Sequence, residues 1–521
     1  MVSPPNSNTV IDGMACTVTR PEDHTDWSDF PNLGVLTLVS ALKAVPGVEP
    51  IYIDGTVVPW ADVLAFVTEN GGRILALCVS AITATYEAGL HLVRAAKRCD
   101  PEIVSIFGND HLTALGQVSL LLRSEIDFAF AGNEVIGSFV DLVTCLSHGM
   151  SIDPRVFPGL IWRDGAQVRC TPQQAESLWT DVDYDLVDTA FDHTAIYRKN
   201  FEKRVRPTFH RMTGRSVAAG VPVEIARGCI KFARNDACSF CSIQFGGMWR
   251  NEVSDADEAW SMIGHAYARG YDYLYLTADE LPLTFGRLLS GMHAAPPQWW
   301  RDLSDAERPV LVGYARADGL SNERNATVLR EIGVRQLMVG LDAGTSRSLE
   351  AMAKPLATRH ERESSYRAEA MFEHNTRALE SAHKADLLLK AGFVVGHLGM
   401  DRSLLEDNVA SMKALIDANT GAIASVDVEV LSPEPGSLDF QCLIDPARAS
   451  DRASRLGLHV GSPSDRDQIA ERWRNSDLID REEAMADYVT AVMPELTLDD
   501  LAAARDDVRS HATAAGITVG E

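Results

Sequence analysis

The chain has 521 residues, 46% hydrophobic and 23% charged, a globular composition with length for two to four domains. Lys and Arg number 48 against 73 Asp and Glu, and the resulting net charge of -25 disfavours a nucleic-acid partner and favours a small-molecule substrate. No uncharged apolar run reaches the ~18 residues of a membrane span, no basic-then-apolar leader opens the chain, and nine scattered cysteines make no disulfide framework, so a reducing cytoplasm is expected.

Residues 1–150 read as a doubly wound α/β domain, because short apolar runs alternate with helical patterns. Leu33–Val39 leads into a helical stretch to Ala44, and Ile51–Asp54 is a short strand. Arg73–Ser80, Ile103–Phe107 and Asp127–Ala131 are buried-strand runs, each followed by a helix or turn. Ligands of such sheets sit at the carboxyl ends of strands. Those ends carry Ser80, Thr83 and Thr85, then Gly108, Asn109 and His111, then Gly132, Asn133 and Glu134. Small and polar residues there allow a large ligand to approach the backbone.

Residues 151–215 read as a connector, with a hairpin of Gly159–Arg163 and Ala166–Cys170 turning at Asp164-Gly165, then a basic stretch Tyr197–Arg215. From 216 to 440 a second alternating series begins. Its expected strands are Val223–Ala226, Tyr271–Thr277, Pro309–Tyr314, Gln336–Leu341, Phe393–Gly396 and Val426–Leu431. Helices are expected at Asp255–Ala268 and Asn322–Ile332, with a long charged helical region running to Ala391. About six βα units close naturally as a partial barrel, with chemistry on the loops after the strands. The tail, 441–521, reads as helical from the spacing of Leu478, Ala484, Tyr488 and Val492, and of Leu501 and Val508.

The first barrel loop carries the only cysteine group: Cys229, eight residues, then Cys238-Ser239-Phe240-Cys241. Three thiolates on one loop suit three irons of a cubane cluster, leaving the fourth iron open to a substrate group. The cysteines alone also admit a zinc knuckle, for which His210 and His265 are the near histidines, or three unconnected buried thiols.

Further segments resemble the radical S-adenosylmethionine (SAM) superfamily, over about residues 221–440. The C-x-aromatic-C run with Phe240 follows a strand, and Thr277-Ala278-Asp279-Glu280 ends the next one, where the family places an acid near the SAM amine. Arg316-Ala317-Asp318 is similar to its R-x-D segment. Gly340-Leu341-Asp342-Ala343-Gly344-Thr345 is similar to G-x-E-S-G-S, with Asp for Glu and Ala for Ser. Lys354-Pro355, Gly392–Gly396 and Leu431–Gly436 follow in the family's order. The departure is eight residues in place of three between Cys229 and Cys238, an insertion carrying Lys231, Arg234, Asn235 and Asp236. The resemblance implies a [4Fe–4S] cluster on Cys229, Cys238 and Cys241. It implies a SAM site using Phe240, Asp279 or Glu280, Arg316, Asp342 and Thr345.

The domain ahead of the barrel resembles the cobalamin-binding domain of the class B members, extending the resemblance to about residues 30–440. Leu33-Gly34, Ser80–Thr85, Pro101–Gly108, His111, Asp127–Glu134, Trp162–Gly165 and Asp183-Tyr184-Asp185 carry it. The D-x-H-x-x-G cobalamin signature is absent, and Gly108-Asn109 stands where the family has Gly-Gly, so a fold without cobalamin is the alternative. Together these imply a methyltransferase using SAM and cobalamin, moving a methyl group from methylcobalamin to an unactivated carbon, or phosphinate phosphorus, of a small secondary-metabolite precursor. Such an enzyme needs an external electron donor such as flavodoxin or ferredoxin. The rival readings are a radical SAM rearrangement or oxidation without methyl transfer, and a non-catalytic cobalamin or redox sensor.

Overall fold

Strand-forming and helix-forming runs alternate along most of the chain, and two parallel α/β sheets result. The computed structural model describes residues 1–5, 28–233, 237–242, 250–356, 364–419 and 421–520. It divides into two units. One is Met1–Pro222 with Ser476–Ile479, and the other runs from Val223 onward apart from that short segment.

The first sheet has seven strands: β1 Val2–Ser3, β2 Ile53–Asp54, β3 Ala76–Ser80, β4 Val104–Gly108, β5 Phe128–Phe130, β6 Leu160–Asp164 and β7 Gln167–Cys170. Their spatial order is β2-β1-β3-β4-β5-β6-β7, parallel through β5 and antiparallel thereafter. Two of these strands depart from expectation. Two residues at the very start supply β1, too short for any periodicity to announce, and they sit between β2 and β3. The hairpin assigned to a connector is instead the far edge of this sheet, because Phe128–Phe130 pairs with Leu160–Trp162. The basic stretch after it is a helix, His193–Thr213, capped by Asp192 and stopped by Gly214 in the left-handed region. On one face, Leu42, Cys78, Ile106, Phe130, Phe139, Leu142, Phe157, Leu160 and Trp162 form the core with helices Leu33–Leu42 and Ile136–Ser147. Burying each large side chain there stabilises by about 1.5–3 kcal/mol.

The second sheet contains β8 Gly220–Val223, β11 Tyr273–Leu276, β12 Val310–Arg316, β13 Val334–Asp342, β14 Leu388–Val395, β15 Ile423–Val430 and β16 Thr518–Val519. The order is β16-β15-β14-β13-β12-β11-β8, an open partial barrel rather than a closed one. The single strand expected at Val223–Ala226 is split. β8 stops at Val223, and β9 Ala226–Gly228 turns away to pair antiparallel with β10 Arg250–Glu252. The long charged helix ends at Lys384, not Ala391, because β14 takes up Leu388–Val395. The tail is helical over Leu438–Ala514 in five pieces, but Thr518–Val519 adds a parallel strand against Ser425 and Val426. Among the described residues, no helix is long and apolar enough to cross a membrane.

Candidate functional site

In the second unit the carboxyl ends of the strands gather the cysteine group. Cys229 follows β9 directly. Gly228, before it, has φ 103°, a conformation that only glycine adopts without strain, and its N–H donates to the Asp279 carboxylate at 2.9 Å. The second half of the group is a tight turn in which Cys241 N–H donates to the Cys238 carbonyl at 3.1 Å. Ser239 anchors this turn, its N–H on the Met352 carbonyl and its carbonyl taking the Asp439 N–H, both at 2.9 Å. Arg234, Asn235 and Asp236 lie outside the described residues.

Cys229, Cys238 and Cys241 line one cavity of about 590 Å³, together with Phe240, Asp279, Arg316, Asp342, Lys354 and the inner faces of β11 to β15. Among the described residues no three His, Cys, Asp or Glu side chains stand ready-posed around a metal position. The thiols therefore share a cavity without being drawn together. Their chemistry fits an iron–sulfur cluster: three sulfur donors in one cavity, and no histidine in the lining to complete a zinc set. Burial pushes the Cys229 thiol up to about 11, with Arg316 pulling the other way. A bound metal reverses that balance by favouring the thiolate.

Three cations are held around the thiols. Arg316 is 5% exposed, donates to both Asp318 oxygens (3.0 and 2.9 Å) and to the Lys354 carbonyl at 3.0 Å, and approaches Cys238 Sγ at 4.0 Å. Burial alone would lower its guanidinium, but Asp318 and Cys238 outweigh it and hold it above its ordinary value. Asp318 is correspondingly lowered, because Arg316 overcomes the effect of burial. Lys354 forms a buried ion pair with Asp342. Asp342 sits at φ 61° beside a register shift between β13 and β14. A left-handed non-glycine residue is disfavoured by about 1–2 kcal/mol, a strain offset by the charge pair. Lys231 is 1% exposed and donates to the Ala353 and Pro355 carbonyls at 2.6 and 2.8 Å.

Not every expected residue reaches the cavity. Glu280 is fully buried and accepts the N–H groups of Leu283 and Thr284 (2.8 and 2.6 Å) and the Thr284 hydroxyl at 2.5 Å. It closes the turn after β11, which leaves Asp279 as the acid on the cavity wall. Thr345 is the N-cap of helix Ser346–Ala351, accepting from Ser348 N–H, and is absent from the lining. Lys354 was legible only as one half of a motif. Tyr275, Tyr314, Lys390 and Asp427 were missed. Tyr275, Tyr314 and Asp427 lie inside runs read only as apolar strands, and Lys390 inside the run read as helix to Ala391; for Asp427 the alternation of Asp427 and Glu429 along β15 was the signal that was there to find.

In the first unit the expected loops follow β3, β4 and β5, which are neighbours, so they share one sheet edge. Their side chains engage one another. Ser80 Oγ accepts from Asn109 Nδ2 at 3.0 Å, and Thr85 Oγ1 accepts the Ile82 N–H at 3.1 Å. His111 is 1% exposed, lies 3.5 Å from Thr83 Oγ1 and stacks on Tyr86 with centroids 4.0 Å apart. Burial lowers its imidazole to about 4. The Tyr86 hydroxyl donates to Asp477 at 2.8 Å, and Arg123 grips the same carboxylate at 2.8 and 2.7 Å. Gly132 N–H donates to Thr113, and a Cβ there would collide with the Gln173 side chain. Glycine is favoured at 132 by its φ of 96°. Asn109 supports φ 82° without being glycine, its Oδ1 taking the Asp110 N–H at 2.8 Å. Asn133 and Glu134 are also engaged with neighbours, and Glu134 is buried. Gly108 has nothing within 4 Å of a would-be Cβ, so the backbone there is open. A cavity of about 460 Å³ lies at the opposite, amino ends of the strands, lined by Val2, Ile53, Leu75–Cys78 and Phe66.

No family model and no curated protein matches the sequence. Solved structures do match. The radical SAM methyltransferase TsrM from Kitasatospora setae, with cobalamin and a [4Fe–4S] cluster bound, is 16% identical and has a TM-score of 0.58, over 80% of this chain and 76% of that one. The same enzyme with tryptophan substrate and the SAM analogue aza-SAM gives 0.59 at 16% identity, over 85% and 76%. The cobalamin-dependent SAM radical enzyme OxsB, with aqua-cobalamin and SAM, gives 0.58 at 13% identity. That match covers 85% of this chain and 64% of OxsB, so the chain spans just under two thirds of OxsB. At these identities what is shared is the fold, which is the fold of cobalamin-dependent radical SAM enzymes.

Proposed function

We propose that this chain is a cobalamin-dependent radical SAM methyltransferase. Its acceptor is an unactivated carbon, or a phosphinate phosphorus, of a small secondary-metabolite precursor. The observation that carries the reading is the meeting of Cys229, Cys238 and Cys241 with Asp279 and Arg316 on one cavity at the strand ends, in a fold shared with TsrM and OxsB. When bound, the cluster supplies the electron that cleaves SAM, and the corrinoid carries the methyl group.

The chain's own residues bind and orient. The three thiols would hold a cluster, with one iron left open for SAM. Asp279 would take the amine of SAM, and Arg316, held by Asp318, would take its carboxylate. Phe240 lines the same cavity beside the thiols. The loops after β3, β4 and β5 would hold the cobalamin, and the open backbone at Gly108 would leave it room there. TsrM was solved with tryptophan as its substrate; for this chain a cavity of about 590 Å³ has room for a small acceptor. A flavodoxin or ferredoxin is the fitting electron donor.

The test is anaerobic reconstitution with iron, sulfide and hydroxocobalamin, followed by product analysis with SAM. S-adenosylhomocysteine together with a methylated product supports the reading. If only 5′-deoxyadenosine and methionine form across acceptors, methyl transfer is abandoned in favour of a rearrangement or oxidation.

A further inference from the structure

Deeper in the same cavity, the barrel wall is built in rows fixed by strand register. Arg316 pairs with Gly340, Gly340 with Gly392, and Gly392 with Asp427, one row across β12, β13, β14 and β15. Three strand steps span about 14 Å. A guanidinium stands at one end, a carboxylate at the other, and two residues without side chains between them. Gly340 has to be glycine because a Cβ would sit 2.8 Å from the Asp342 carboxylate. Gly392 does not: its Cβ would meet nothing nearer than 3.8 Å. The space over it is open, a trough running from the cysteine end toward Asp427.

The row below holds Tyr314, Met338 and Lys390 in register. Lys390 Nζ reaches diagonally to Asp427 at 3.2 Å, and the two side chains keep 30% and 33% exposure inside the lining. This pair contrasts with Asp342–Lys354, whose members are 8% and 7% exposed. Tyr275 and Tyr314 meet edge to face, centroids 5.8 Å apart, on the facing wall. Below them the Tyr273 hydroxyl and Gln336 join at 3.2 Å. Thr277 Oγ1, just past the end of β11, is buried without a hydrogen-bond partner.

We propose that the Lys390–Asp427 pair is the recognition point for an ammonium and a carboxylate carried side by side on the substrate, which makes the substrate an amino acid. This rests on the reading of the cavity as a radical enzyme's. The physical reason is pairing. A ligand entering the trough dehydrates both charges, and a dehydrated unpaired charge is strongly destabilising. A ligand bearing only an anion leaves Asp427 without its cation and beside the Glu429 carboxyl, and one bearing only a cation leaves Lys390 without its anion. A zwitterion replaces the pair contact for contact, carboxylate on Lys390 and ammonium on Asp427. The rest of the molecule then lies over Gly392 and Gly340, between the tyrosine edges and Met338, with its far end toward the cysteines.

The experiment is saturation-transfer NMR on the full chain reconstituted with iron and sulfide, using the proteinogenic L-amino acids as probes, beside their N-acetyl and methyl-ester forms. At least one free amino acid is expected to bind, and blocking either end is expected to weaken it by roughly tenfold or more. Lys390→Gln and Asp427→Asn, the second being isosteric, are expected to do the same, while the surface change Lys384→Gln leaves binding intact. Absence of any binding, equal binding of the blocked forms, or parental affinity in both variants overturns the proposal. Iron and sulfide content and SAM cleavage, measured on the same samples, report separately on the radical-enzyme reading. Normal cleavage with no amino-acid binding removes this inference alone.

Discussion

Adjacent acids at 279 and 280 show how little residue type decides by itself. Asp279 lines the cavity, while Glu280 holds a turn through three hydrogen bonds. Their replacements should therefore separate. Asp279→Ala and Arg316→Ala are expected to weaken SAM binding by ~2–3 kcal/mol, roughly 30- to 150-fold, read by equilibrium dialysis on reconstituted protein. Glu280→Gln leaves buried donors poorly matched, and is expected to lower stability by about 1–3 kcal/mol while SAM affinity in the folded fraction stays near the parent's. Parental SAM affinity in both Asp279→Ala and Arg316→Ala would move the SAM pole elsewhere.

A buried histidine gives a second residue-scale expectation. His397 has no exposure, one ring nitrogen within 3.0 Å of the Leu398 carbonyl and the other 3.1 Å from Ser348 Oγ. Burial lowers its imidazole to about 4. Below its ordinary value near 6.5 the unfolded chain takes the proton first, so this contribution is whole above that pH and is lost as pH falls toward 4. The loss approaches about 3 kcal/mol. Unfolding midpoints of the parent and His397→Gln, compared at pH 7 and pH 5, should converge at the lower pH. A constant gap between them would show that the ring is not held neutral by burial.

At the scale of elements, the cysteine loop depends on one backbone torsion. Gly228 at φ 103° delivers Cys229 from β9 and simultaneously gives its N–H to Asp279. Gly228→Ala is expected to halve iron and sulfide loading or worse after reconstitution, since an L-residue is strained there by about 1–3 kcal/mol. Unchanged loading, with the chain folded, would mean the loop reaches the cluster another way. The element scale also shows where reading the sequence stopped. Long apolar runs such as Ala76–Ser80 and Val310–Arg316 announced themselves. Val2–Ser3 and Thr518–Val519 are strands only because neighbouring strands offer them partners, and nothing local marks a two-residue strand. The split between β8 and β9 was equally hidden, since Arg250–Glu252, which draws β9 away, lies some twenty residues downstream. In the site, cysteines and Arg316 were legible from spacing and order. Lys390 was not, because the run through Ala391 reads as helix and β14 begins already at Leu388; Asp427 was not, because which face of β15 turns inward is settled by the whole sheet.

At the scale of the molecule, two units stand on one chain, and each is proposed to carry a different cofactor. That separation is measurable, because a ligand stabilises the state that binds it by RT ln(1 + [L]/Kd), about 2.7 kcal/mol at a hundredfold excess over Kd. Calorimetric scans of the full chain are then expected to respond to two additions independently. Iron and sulfide should raise the transition of the unit holding Cys229, Cys238 and Cys241, and replacing the three cysteines with alanine should abolish that rise. Hydroxocobalamin should raise the transition of the unit holding β3, β4 and β5, with a change in its visible spectrum, and the triple-alanine chain should retain this response. Gly108→Leu, which fills the open backbone position at the end of β4, is expected to remove the cobalamin response and spare the iron–sulfide one. The mutual bonding of Ser80, Asn109, Thr83 and His111 sharpens the test, since a first unit whose strand-end loops only satisfy one another would show neither spectral change nor shift. That outcome, with cluster loading intact, would leave the radical SAM reading standing without a corrinoid and remove methyl transfer through cobalamin from the proposed function.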